Sequence, residues 1–84
     1  MHVTLYKSAF CPRCHLTRKY LLEIISADCE IRLQEIDVMT APRQSWNDGI
    51  RLIPALKIDN HILSALYLGK SAIAEFIAGY RNQS

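Results

Sequence analysis

The chain has 84 residues, half of them hydrophobic, and a formal net charge of +2. That length makes one domain with a small core, and that apolar fraction excludes a disordered chain. A charge of +2 is too small to argue for nucleic acid or an anionic membrane, no stretch approaches the ~18 apolar residues of a membrane span, and Lys7 interrupts the N-terminal apolar run before a signal peptide forms.

Val3-Thr4-Leu5-Tyr6 reads as a short strand, followed by a turn over Lys7-Ser8-Ala9-Phe10. Cys11-Pro12-Arg13-Cys14 comes next. Pro12 suits a first helical position, where its missing N–H costs nothing. Leu16, Tyr20, Leu21 and Ile24 recur at helical spacing and predict a helix from Pro12 to about Ala27, with Asp28 as terminator.

Ile31 to Val38 reads as a second strand with imperfect alternation. Thr40 as N-cap, Pro42 in the first turn and Gly49 at the far end frame a short helix over Ala41 to Asp48. Trp46 within it suits core or half-buried packing better than a groove wall. Ala55–Ile58 and His61–Ser64 are strands joined by an Asp59-Asn60 turn. Ile73, Phe76, Ile77 and Tyr80 predict a last helix over Gly69 to Arg81, with Asn82-Gln83-Ser84 frayed. The order is β-α-β-α-β-β-α, an α/β fold with a parallel first crossover, a closing hairpin and a four-stranded mixed sheet flanked by helices.

The chemistry concentrates at Cys11 and Cys14. With Pro12 at the first helical position, Cys11 sits at the N-cap, where unpartnered N–H groups and the helix dipole favour an anion. Bringing a thiol from a pKa of about 8.5 to about 7 takes roughly 2 kcal/mol, and a helix terminus supplies ~0.3–1, rarely ~2. The remainder has to come from a Cys14 S–H bond and from nearby cations. Lys7, Arg13, Arg18 and Lys19 all precede Glu23, the first acidic residue. Cys11 is thus the expected attacking thiolate and Cys14, one turn in and more buried, the resolving thiol. Three cysteines make no disulfide framework, so the pair points to a reducing cytoplasm.

Two other readings use the same residues. Cys11, Cys14, Cys29 and a histidine make a candidate zinc set, and the active cysteines of two chains a candidate iron–sulfur site. Cys29 reads more simply as a small half-buried residue. Cys11-Pro12-Arg13-Cys14-His15 also satisfies the c-type haem attachment pattern. Against that stand the strand-rich order and His15's simpler place as a polar helix residue. An adaptor of the same fold needs no such cysteine pair.

This order, with Cys-Pro-x-Cys after the first strand and Ile53-Pro54 before the third, resembles the glutaredoxin branch of the thioredoxin-like superfamily over nearly the whole chain. The resemblance implies a thioredoxin-like fold and a dithiol–disulfide oxidoreductase or electron carrier. It implies a cis Ile53–Pro54 bond, with the Ile53 backbone offered to a bound peptide or glutathione. Pro12, Arg13, Ile53, Pro54, Lys7 and Tyr6 are then the expected substrate-binding residues, and Arg43 or Gln44 stands where relatives contact glutathione. The chain departs from the family in three places. Arg13 replaces a Tyr or Phe. Ser8 stands at the glutathione-binding lysine, with Lys7 one residue further off. Ile62-Leu63-Ser64-Ala65-Leu66 replaces the Gly-Gly-x-Asp segment. The expected partners are a protein disulfide and, as reductant, glutathione or a thioredoxin-reductase-like flavoenzyme, acting on a monomer with no bound cofactor or metal.

Overall fold

The computed structural model describes residues 1–65 and 68–83, with side chains through Arg81. Its elements are β1 (His2–Lys7), α1 (Pro12–Ser26), β2 (Arg32–Asp37), α2 (Pro42–Asn47), β3 (Ala55–Ile58), β4 (His61–Ser64) and α3 (Lys70–Gln83). The sheet order is β2-β1-β3-β4; β1 and β2 are parallel, and the other pairs antiparallel.

Alternation along β1 divides the core between the two faces of the sheet. Val3 and Leu5 point to one face, with Leu56 and Ile58 of β3; Leu21 of α1 and Ile73 and Ile77 of α3 cover them. Tyr6 points to the other, with Ile36, Ile50 and Ala55, beneath Val38 and Ala41. The pairings Leu5↔Leu56↔Leu63 and Ile36↔Tyr6↔Ala55 follow from that alternation. β2 alternates poorly, and Ile36 is its one buried residue.

Helix α1 buries Cys14, Thr17 and Leu21; of the expected Leu16, Tyr20, Leu21 and Ile24, Leu21 is fully enclosed and the other three are half-buried. A threonine fits that buried set because its hydroxyl donates to Leu68 O at 3.4 Å, so no buried polar atom goes unmet. Helix α3 runs two residues past the expected Arg81, so Asn82 and Gln83 are helical rather than frayed; Ser84 and Leu66 lie outside the described residues.

The entry to α2 differs from expectation. Ala41, not Thr40, is its N-cap, and no side chain caps it. The Asp37 carboxylate accepts the Met39 N–H at 2.8 Å, and Thr40 Oγ1 donates back to Asp37 O at 3.2 Å. Thr40 is spent on that turn. At the far end Gly49 has φ +89°, and an added Cβ would come within 3.2 Å of Ile62 Cδ1, so glycine meets both the left-handed backbone and the close approach of β4.

Candidate active site

Strands β1 and β2 both end at one edge of the sheet, and the turn after β1 feeds directly into α1. There Cys11 is the N-cap in extended conformation, with φ −106° and ψ 106°, and Pro12 follows at the first helical position. Cys11 N–H donates to Ser8 O at 3.2 Å, which fixes the cap. The Cys14 N–H donates to Cys11 Sγ at 3.3 Å. The sulfur thus takes the place of a capping oxygen.

Burial raises the pKa of Cys11, but the Cys14 S–H bond, the Cys14 N–H, the Arg13 charge and the Arg13 N–H outweigh it, and the net direction is down. Cys14 goes the other way. Burial, its bond to Cys11 and the Cys11 charge push it up to about 11, against smaller opposing effects of the Ser8 N–H and Arg13. Cys14 has no exposed surface, whereas Cys11 keeps 9%. One thiol of the pair therefore keeps a little surface and a lowered pKa; the other is fully enclosed and holds its proton more tightly.

This asymmetry predicts alkylation. In a Cys29→Ser background, iodoacetamide should label Cys11 first, at a lower pH than an unperturbed thiol requires, and the enclosed Cys14 only after it. Peptide mass mapping across a pH series checks this; two labels rising together near pH 9 would contradict the site's electrostatics.

At the same end of the sheet, between α2 and the loop that leads into β3, an open groove of about 230 Å³ is walled by Val38, Pro42, Ser45, Trp46, Ile50, Arg51, Leu52 and Ile53. The Ile53–Pro54 bond is cis, as the resemblance implied. Among the described residues no partner takes the Ile53 backbone N–H or C=O. Trp46 corrects the expectation of core packing: it is 61% exposed, with the Arg51 guanidinium 3.3 Å above its ring.

The other expected residues are placed differently. Arg13 is exposed in the first turn of α1 and contributes charge to both sulfurs. Lys7 closes β1, half-buried. Tyr6 does not flank the groove: it is 2% exposed and its hydroxyl donates to Asp48 Oδ2 at 2.7 Å. Burial and that carboxylate raise its pKa. Neither Arg43 nor Gln44 lines the groove. Arg51 does, and sequence reasoning missed it; its one signal was a cation three residues before Pro54.

Cys29 is exposed rather than half-buried, and it follows the far end of α1. A 15-residue helix spans about 22 Å, so Cys29 cannot join Cys11 and Cys14 around one ion. Among the described residues no three His, Cys, Asp or Glu side chains gather as metal ligands. His15 is exposed, its Nε2–H donating to Ala9 O at 3.0 Å. No helix is long and apolar enough, among the described residues, to cross a membrane.

No protein-family model and no curated protein matches the chain. Solved structures do. The oxidised thioredoxin of Plasmodium falciparum superposes with a TM-score of 0.79 at 17% identity, over 94% of this chain and 79% of its own. Thioredoxin 1 of Thermosipho africanus gives 0.76 at 17% identity, over 98% and 96%. Mitochondrial thioredoxin 3 of Saccharomyces cerevisiae, in its oxidised form, gives 0.75 at 18%, over 93% and 76%. At these identities the likeness is one of fold: the chain has the thioredoxin fold, an α/β arrangement of a four-stranded mixed sheet and three helices.

Proposed function

We propose that the chain is a glutaredoxin-like dithiol–disulfide oxidoreductase. The observation that carries the reading is the opposed pair at the head of α1: a Cys11 that keeps a little surface and a lowered pKa, and an enclosed Cys14 whose pKa is raised to about 11. Each unit by which a thiol pKa falls toward ambient pH multiplies its thiolate about tenfold. It also weakens the nucleophile, for a net gain of roughly threefold per unit.

The Cys11 thiolate attacks a substrate sulfur, forms a mixed disulfide and expels the first thiolate. Cys14 then loses its proton, attacks Cys11 Sγ and expels the second. The substrate gains two electrons and two protons, and the Cys11–Cys14 pair loses them. Two of the three causes that raise Cys14 belong to Cys11: its hydrogen bond and its charge. Both vanish once Cys11 is in the mixed disulfide, while the Ser8 N–H and Arg13 still favour the Cys14 thiolate. The first step therefore eases the loss of the Cys14 proton, with burial the one raising cause that remains.

Glutathione, or a thioredoxin-reductase-like flavoenzyme, returns the two electrons, in a reducing compartment such as the cytoplasm. The groove beside Ile53, with unclaimed backbone groups, supports binding of an extended substrate. In the test, reduced protein is mixed with a protein disulfide. One substrate disulfide should open per chain oxidised, and the product should be 2 Da lighter, with the bridge mapped to Cys11 and Cys14. Oxidation without substrate reduction, or a bridge through Cys29, would overturn the reading. Following the oxidised product with glutathione and its reductase, against thioredoxin reductase, identifies the electron source.

A further inference from the structure

Around Cys11, apolar surface and positive charge stand open together. Of the six large hydrophobics exposed among the described residues, Phe10, Met39, Trp46 and Leu52 all lie on the loops and helix at the cysteine edge of the sheet; Leu22 and Ile62 lie elsewhere. Lys7, Arg13 and Arg51 share that edge, and among the described residues no carboxylate pairs with any of them. The two carboxylates nearby are engaged locally, Asp37 by the Met39 N–H and Asp48 by the Tyr6 hydroxyl.

Arg51 is the best organised of these cations. Its guanidinium stacks on Trp46, and Nη1 donates to Trp46 O at 2.8 Å and to Ile50 O at 3.2 Å. The stack fixes the fork, so little side-chain freedom is left to lose when it takes a carboxylate. Nε and Nη2 have no acceptor among the described residues. The groove, at about 230 Å³, is smaller than the ~300–1,000 Å³ of small-molecule pockets and is open along its length. That shape admits one or two side chains of a strand laid across it, with the Ile53 backbone for it to pair with.

We propose that the substrate is an extended protein segment with an acidic residue beside an apolar one. Arg51 takes the carboxylate and the wall of Trp46, Leu52 and Ile53 takes the apolar side chain. This rests on the dithiol reading of Cys11 and Cys14 and adds the partner to it. Arg51 and Trp46 are the specificity-determining residues.

The test uses short peptides whose single cysteine is disulfide-linked to 2-mercaptoethanol, with Leu-Glu or Leu-Gln next to the cysteine. Hydroxyethyl disulfide and glutathione disulfide are run beside them. At low salt the wild type should reduce the Glu peptide about fivefold faster than the Gln peptide, and the advantage should shrink as salt rises. In Arg51→Gln the ratio should fall below about twofold, while Arg51→Lys keeps part of it. The salt series needs no variant, so a misfolded Arg51→Gln leaves the proposal testable. Equal rates for the two peptides in the wild type, or an undiminished ratio in Arg51→Gln, would overturn the proposal. Glutathione disulfide reduced faster than the Glu peptide would also overturn it, in favour of a small thiol. If hydroxyethyl disulfide is reduced while the peptides do not differ, only the partner falls. If no disulfide is reduced, the dithiol reading falls and the partner with it.

Discussion

Cys11→Ser is expected to reduce disulfide turnover to the uncatalysed background, whereas Cys14→Ser should bind the substrate and hold it. The two sulfurs are three residues apart but differ in exposure and in charge. Cys11 keeps 9% of its surface, its sulfur accepts the Cys14 N–H, and its pKa is lowered by that bond, the Cys14 S–H and the Arg13 charge. A serine there retains the capping geometry but has no ionisable sulfur near neutral pH, so the helix is kept and the chemistry lost. Cys14 is fully enclosed, and without its sulfur nothing resolves the mixed disulfide. Incubating each variant with a protein disulfide and mapping the adduct by mass spectrometry reads the difference directly. Cys14→Ser should carry one substrate molecule on Cys11, releasable by dithiothreitol, and Cys11→Ser should carry none. Turnover retained by Cys11→Ser, with the adduct on Cys14, would reverse the roles.

Leu56→Ala should be strongly destabilising. Leu56 is fully buried in β3, paired with Leu5 on one side and Leu63 on the other. Removing a buried leucine side chain costs about 2–5 kcal/mol. Eighty-four residues at ~0.05–0.15 kcal/mol each give a total stability of about 4–13 kcal/mol. The variant thus loses a large part of what holds it folded. Urea unfolding should show a lowered midpoint with an unchanged slope. Ile62→Ala, on the edge strand and 39% exposed, should lower the midpoint clearly less. A Leu56→Ala midpoint no lower than that of Ile62→Ala would mean that β3 is not central to the core.

The residues that were legible in sequence are those whose role is local. Cys11, Pro12 and Cys14 define a cap within four residues, and a cap depends on little else. Ala55–Ile58, the Asp59 turn with its φ of 52°, and His61–Ser64 were read correctly for the same reason: alternation and turn chemistry are short-range. What was misread depended on contacts between distant residues or on competition for one hydrogen bond. Tyr6 bonds to Asp48, 42 residues away, and no spacing rule reaches that far. Thr40 had the right chemistry for an N-cap, but Asp37 had already folded the chain into a turn that claims its hydroxyl. Trp46 stays at the surface because Arg51, across the Gly49 turn, covers one ring face and gives the exposed aromatic a partner.

The sulfur that caps α1 also bears on which way electrons run. Ionised Cys11 exists only in the dithiol form, so every bond that favours its charge favours that form over the bridge. The enclosed Cys14 proton brings no opposing penalty at neutral pH, because a thiol free in water is largely protonated there as well. The N–H groups at the head of one helix therefore weight the pair toward its dithiol form.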